Sequence, residues 1–139
     1  MPKGLRLFLS IADAGMLVYW GASALACLAV LTLPSTVMYA GYGTPDVDAW
    51  NWSFAPLDVT FSIVGLAAVR AARRESEAWV GLAIVSLCLT ACAGGMAISY
   101  WALRGEFDAA WWLPNLALLL LPCIWLPSLI SRTSRSLAA

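Results

Sequence analysis

The chain has 139 residues, of which 62% are hydrophobic and 12% charged; its formal net charge is zero and it has no histidine. An average soluble domain carries about 25% charged residues, so this one lacks the polar surface to cover its apolar mass, and a bilayer is its natural solvent. The missing histidine excludes histidine-ligated haem and zinc and any Ser-His-Asp triad, and the zero net charge offers no field to nucleic acid.

Four apolar stretches follow one another along the chain. The first runs from about residue 7 to 33, too long and too close to Asp13 for a cleavable signal peptide. Its acid reads most simply as a helix-end carboxylate pairing with Lys3 or Arg6. Next comes a segment, Pro34–Ser53, with Gly41, Gly43 and Pro45 as helix breakers and Tyr39, Tyr42, Trp50 and Trp52 as aromatic mass. It is expected to be a long loop that folds back over the bundle as a cap.

The second stretch covers about 54–69, with Pro56 and Asp58 near its start, where an acid favours the helix dipole. A short loop, Ala71–Glu77, makes the second and third helices antiparallel neighbours. The third stretch, about 78–103, carries Ala91, Ala93, Gly94 and Gly95, which permit close helix contact. Asp108 is a good N-cap for the fourth, about 109–130, and Pro114, Pro122 and Pro127 should kink or interrupt it. Each stretch is near the ~20 residues that cross ~30 Å of hydrocarbon, and helices are the spanning solution because strand alternation is absent. The expected fold is all-α: a single integral-membrane four-helix bundle.

Seven of the eight lysines and arginines (Lys3, Arg6, Arg70, Arg73, Arg74, Arg132, Arg135) flank one side, and only Arg104 flanks the other. That asymmetry predicts both termini in the cytoplasm. Cys27, Cys88, Cys92 and Cys123 lie in apolar runs without a C-x-x-C spacing and read as small hydrophobes. Cys88 and Cys92, one turn apart, are expected to share a face.

Two segments, Ala49-Trp-Asn-Trp-Ser-Phe-Ala-Pro-Leu-Asp58 and Phe107-Asp-Ala-Ala-Trp-Trp-Leu-Pro-Asn-Leu116, with Asp13 and Tyr19-Trp20, resemble the YvaD-like small bacterial membrane proteins. That resemblance implies a multi-pass protein of the bacterial inner membrane, with four spans and no assigned activity. In kind, though by no diagnostic motif, the chain is also similar to the small membrane cyclases of indole-terpenoid and meroterpenoid pathways.

The candidate chemistry centres on Asp58. Trp50, Asn51 and Trp52 precede it; Tyr100 and Trp101, then Trp111, Trp112 and Asn115, fall at the same end of their helices. An interfacial aromatic belt accounts for part of this, but not for the two asparagine amides. Acid, amides and indoles together make the polar end of an apolar pocket. A carboxyl group in such a pocket can act as a general acid on a prenyl epoxide or alkene, and aromatic faces stabilise the carbocation that results. Asp58 is the expected acid, with Asn51 and Asn115 holding it or the substrate oxygen. Trp20, Tyr100, Trp101 and Trp112 are expected to line the cavity with Trp50 and Trp52. Tyr19 or Asp13 is the candidate terminal base. Straight helices put the two aspartates roughly 15 Å apart in depth, too far for a dyad. No metal or cofactor is expected; the expected partners are a lipophilic small molecule, the bilayer and, for an oligomer, further copies of the chain.

Two other classes remain open at this level. A single acid in the first helix suits a small proton-coupled multidrug-type transporter. A small-residue face at Gly94-Gly95 suits a non-enzymatic subunit of a larger membrane complex.

Overall fold

The computed structural model describes residues 1–32, 34, 39 and 41–137, with side chains to 135. The last residue of the first expected span, 33, and positions 35–38 and 40 of the expected cap lie outside the described residues. Six helices are described: α1 Lys3–Cys27, α2 Pro45–Ser53, α3 Ala55–Arg73, α4 Ala78–Arg104, α5 Ala109–Leu120 and α6 Pro122–Leu137. They make four apolar helical units long enough to cross a membrane, because α2 runs into α3 and α5 into α6. Among the described residues the architecture is all-helical, with four apolar helical units that suit a multi-pass membrane protein.

The boundaries depart from the hydropathy reading for local reasons. Helix α1 begins earlier, at Lys3, since charged residues are tolerated in a first turn. It ends earlier too. Ala29 takes the left-handed conformation (φ 56°), and Val30 N–H donates to Leu25 O at 3.0 Å while Ala29 N–H donates to Ala26 O at 3.0 Å. That is a Schellman end built without glycine. Gly105 (φ 69°) ends α4 in the same way.

The expected loop before the second span is helical over Pro45–Ser53. Proline at the first position and Asp46 and Asp48 in the first turn suit a helix start. Pro56 lacks an N–H and separates α2 from α3. Of the three prolines in the fourth unit, Pro122 makes the break, while Pro114 and Pro127 sit inside α5 and α6. Asp108 caps α5, its Oδ1 accepting from Ala110 N–H at 2.9 Å.

Helices α3 and α4 form the central hairpin, with α1 against α3, and α5 and α6 against α4. Two glycines allow the closest approaches. A Cβ on Gly94 would stand 2.6 Å from Asn115 O and 2.7 Å from Leu119 N, so α5 lies directly on α4 there. Gly94 therefore serves an internal contact and is not free for an external partner. A Cβ on Gly65 would overlap the Asp13 carboxylate and come within 2.7 Å of Ser86 Oγ, so α1 meets α3 and α4 through that acid.

One core fills the end that carries the arginines, with Leu5, Leu9, Ala68, Ala83 and Leu87 fully buried beside Leu129. Phe8 on α1 meets Trp125 on α6 there, ring centroids 5.4 Å apart. The opposite end is built from aromatic residues: Trp20, Phe54 and Phe61, and above them Tyr39, Val47 and Trp101. Arg104 belongs to this aromatic end, where it pairs with Glu106 at 2.8 Å. All four cysteines are free and exposed on the outside of the bundle, Cys88 and Cys92 among them. They belong to none of the core clusters and stand among the apolar side chains on the outer faces of their helices.

Candidate functional site

A cavity of about 330 Å³ lies at the aromatic end, between α1, α2, α3, α4 and α5. Its polar part is formed by Asp58, Asn51, Tyr19 and Asn115, and Trp20, Trp50 and Trp101 stand on its walls. Seven of the expected site residues are thus brought to one space.

Asp58 is 6% exposed. Its Oδ2 accepts the Trp20 indole N–H at 3.0 Å, while Oδ1 is buried without a partner. The side chain caps no backbone N–H; α2 continues into α3, and Asp58 N–H itself donates to Phe54 O at 2.9 Å. Asp58 is therefore a wall residue and not a simple helix-end acid. Asn51 is held by Tyr19, whose hydroxyl donates to Asn51 Oδ1 at 3.2 Å; Asn51 Nδ2 is buried and unpartnered. The Asn115 amide donates to Trp111 O at 2.7 Å, one turn back on its own helix.

Tyr39 covers the cavity from above. Its hydroxyl donates to Asp48 Oδ1 at 2.5 Å, an oxygen that also accepts Gly43 N–H at 3.1 Å. Burial first, and then the Asp48 carboxylate, push the Tyr39 phenol above its ordinary range. The described part of the expected cap, Tyr39 with α2, thus does lie over the bundle.

Four expected site residues stand elsewhere. Tyr100 lies behind the wall and stacks on Trp50, centroids 3.8 Å apart and planes 16° from parallel. Trp52 packs on Trp20 (5.2 Å) and borders a smaller neighbouring hollow with Asp48 and Ser23. Trp112 donates its indole N–H to Glu106 O at 3.0 Å, away from Asp58. Asp13 does not border the cavity, so it is not in place to act on a ligand there. Nor does it pair with Lys3 or Arg6: it is 1% exposed and neither carboxylate oxygen has a partner.

The expected lining left out Trp111, placed only at the same end as Asp58, Tyr39, placed only in the cap, and Phe54, and it did not include the lower wall formed by Ile11, Ala12, Gly15 and Met16 of α1 with Pro114 and Leu118 of α5. The signal was available as helical spacing. Positions 12, 15, 16 and 19 share one face of α1, and 111, 114, 115 and 118 share one face of α5. These two faces look at each other without packing side by side. Ile11 (65% exposed), Gly15 and Pro114 border the cavity and are also open to the outside of the bundle. The cavity therefore has a lateral mouth between α1 and α5 on the outside of the bundle.

This mouth can be closed from one side. A Cβ on Gly15 meets nothing within 4 Å, so a large side chain fits there without disturbing the helix. Gly15→Leu is expected to leave the protein folded and to narrow the mouth. Quenching of the cavity tryptophans by a brominated long-chain probe in reconstituted vesicles should then fall; unchanged quenching would mean another way in.

The profile of a family of unknown function, DUF5360, matches residues 5–136 of the chain. The uncharacterized protein YvaD of Bacillus subtilis (strain 168) is 33% identical over 132 residues, which is 95% of this chain and 96% of that protein. No solved structure matches the chain significantly.

Proposed function

We propose a function for this chain, which belongs to the DUF5360 family, from the polar end of its cavity: a membrane-bound, metal-independent cyclase of a prenylated, epoxidised lipophilic molecule. The observation that carries it is the pair of buried, unpartnered atoms, Asp58 Oδ1 and Asn51 Nδ2, at the head of an aromatic cavity.

An indole N–H only donates, so Trp20 fixes Asp58 Oδ2 as an acceptor. No lysine or arginine is paired with Asp58, and an enclosed carboxyl without a counter-charge keeps its proton. That proton then sits on Oδ1. Asn51, whose Oδ1 is taken by Tyr19, offers an amide N–H. Two donors facing one space suit an oxygen that accepts twice and donates nothing, as an epoxide oxygen does.

In this reading Asp58 gives its proton to the epoxide oxygen as one C–O bond breaks. A π bond of the same chain attacks the cationic carbon and forms the new C–C bond. The final cation loses a proton from a neighbouring carbon to the Tyr19 oxygen, which returns it to the Asp58 carboxylate. Substrate and product have the same composition. Trp20, Trp50 and Trp101 supply the π faces that stabilise the cation, and the lateral mouth admits the chain from the bilayer.

Membranes containing the protein should convert a prenyl epoxide into a ring alcohol of unchanged mass, and membranes without it should not. The aromatic end is proposed to face outward and the seven-cation end inward, by the positive-inside rule. After replacement of the native cysteines, a single thiol at exposed Thr44 should be labelled from outside intact cells. Labelling only after permeabilisation reverses the orientation. Thr44 is preferred to Gly43, whose φ of 87° disfavours a side chain.

A second reading, a small proton-coupled transporter, is favoured by the burial of Asp13 at the centre of the bundle. It requires substrate–proton antiport in vesicles that Asp13→Asn abolishes and Asp58→Asn affects less.

A further inference from the structure

The acid that the cavity does not use has its own surroundings. Asp13 rests on Gly65 of α3, beside Ser86 of α4. Both carboxylate oxygens, Ser86 Oγ and Ser62 Oγ are buried without partners, and Ser62 and Ser86 are wholly inaccessible. Trp20 on α1 meets Asp58 on α3, and Asp13 meets Gly65, so the two antiparallel helices are in a fixed register. Asp58, Ser62 and Gly65 follow one another on the buried face of α3. The acids are therefore roughly 10 Å apart in depth, and Ser62 lies between them. Below Asp13 the way is closed by Leu5, Leu9, Ala68 and Leu87, all fully buried.

We propose that Asp13, Ser62 and Ser86 form a second site, a proton-binding site in the middle of the bundle that is filled from the aromatic cavity through Ser62. It shares with the cyclase reading only a protonated Asp58, and its test reads the Asp13 carboxyl and not turnover. In the structure none of these oxygens is hydrogen-bonded to another, so the relay forms when the side chains turn toward one another: Asp58 Oδ1–H protonates Ser62 Oγ as the Ser62 hydroxyl proton passes to the Asp13 carboxylate. Asp58 is left ionised and takes its next proton from the cavity. The loaded Asp13 donates to Ser86 Oγ. Ser86 Oγ has no partner in the structure and is available to accept; Thr90 Oγ1–H is spent on the Ser86 backbone carbonyl at 2.8 Å.

The groups that face Asp13 favour a neutral, movable proton over a fixed ion pair. On α4 this is Ser86, beside the carboxylate at Gly65, with Thr90 one turn on; the buried polar groups of α3 are Ser62 and, further up, Asp58. Arg70, Arg73 and Arg74 gather near Ser10 at the other end of the α1–α3 groove, and none is paired with Asp13. Among the described residues the ion pairs are Arg104–Glu106 and Arg132–Glu77, both exposed.

Infrared difference spectra after a pH step on the full protein in vesicles test this. Two bands of protonated carboxyl groups are expected. Asp58→Asn removes one and so assigns the other to Asp13. On transfer to D2O, Ser62→Ala should slow deuteration of the Asp13 band on the order of 100-fold, the lower range for a positioned proton-transfer group. Ser62→Thr should restore the rate. An Asp13 band that deuterates equally fast in Ser62→Ala, or no second band at any pH, overturns the proposal. Because this measurement keeps Asp13 itself, it stands even if Asp13→Asn fails to fold.

Discussion

Asp58→Asn should fold normally in detergent and lose about 10²–10⁴ of its turnover of a prenyl epoxide, the usual contribution of a general acid. The asparagine has the same size, and its Oδ1 can still accept the Trp20 indole N–H that Asp58 Oδ2 now accepts at 3.0 Å. Only the carboxylic proton is lost. Trp101→Phe should cost much less, because a phenyl face still attracts a cation, though less than an indole. A variant Asp58→Asn that is folded and nearly as active as the parent would remove the acid from the mechanism. Retained folding is read from the melting temperature, and turnover from the loss of epoxide.

Gly65→Val should destabilise the protein severely, by about 3 kcal/mol or more, at the upper end of what overpacking costs. The Cβ alone would overlap the Asp13 carboxylate and press on Ser86, which are both fixed between three helices. The double variant with Asp13→Ala frees that space. It should therefore be more stable than Gly65→Val alone, a coupling of the kind that contacting residues show. Thermal unfolding in one detergent measures all three variants. If Asp13→Ala gives no relief, the two residues are not in contact.

The four spans were legible because long apolar runs separated by charges or breakers leave few alternatives in a bilayer. The break in the fourth unit was legible as three prolines, but not which of them would act: Pro122 interrupts the helix, while Pro114 is accommodated within α5. Helix α2 was hidden, because Gly41, Gly43 and Pro45 read together as a loop. Pro45 followed by Asp46 and Asp48 is equally a helix start, and the structure uses it so. Asp13 was misread through its helix end. With Leu7 taken as the beginning of α1, the acid stood near an end; with Lys3 as the beginning, it stands opposite Gly65, well inside α3.

For the site, the residues around Asp58 were legible as a cluster of residue types at one end of the bundle. Which indole would hold the acid was not. Trp20 does so because of the register between α1 and α3, which no single segment encodes. Neighbouring positions on a helix point about 100° apart, which takes Tyr100 of α4 and Trp112 of α5 off the cavity wall, although their sequence neighbours Trp101 and Trp111 stand on it.

The lateral mouth between α1 and α5 reaches down to Ile11 and Leu118, and beyond it Phe8, Trp125 and the leucine core fill the bundle. Set in a bilayer, the mouth would open mainly on the leaflet at the aromatic end. An amphiphile made or delivered in the opposite leaflet reaches it only after flip-flop, which is fast for an uncharged alcohol or epoxide and slow for a molecule with a phosphate headgroup. Leaflet sidedness would thus select neutral lipids by their transbilayer mobility before Asp58 meets any of them.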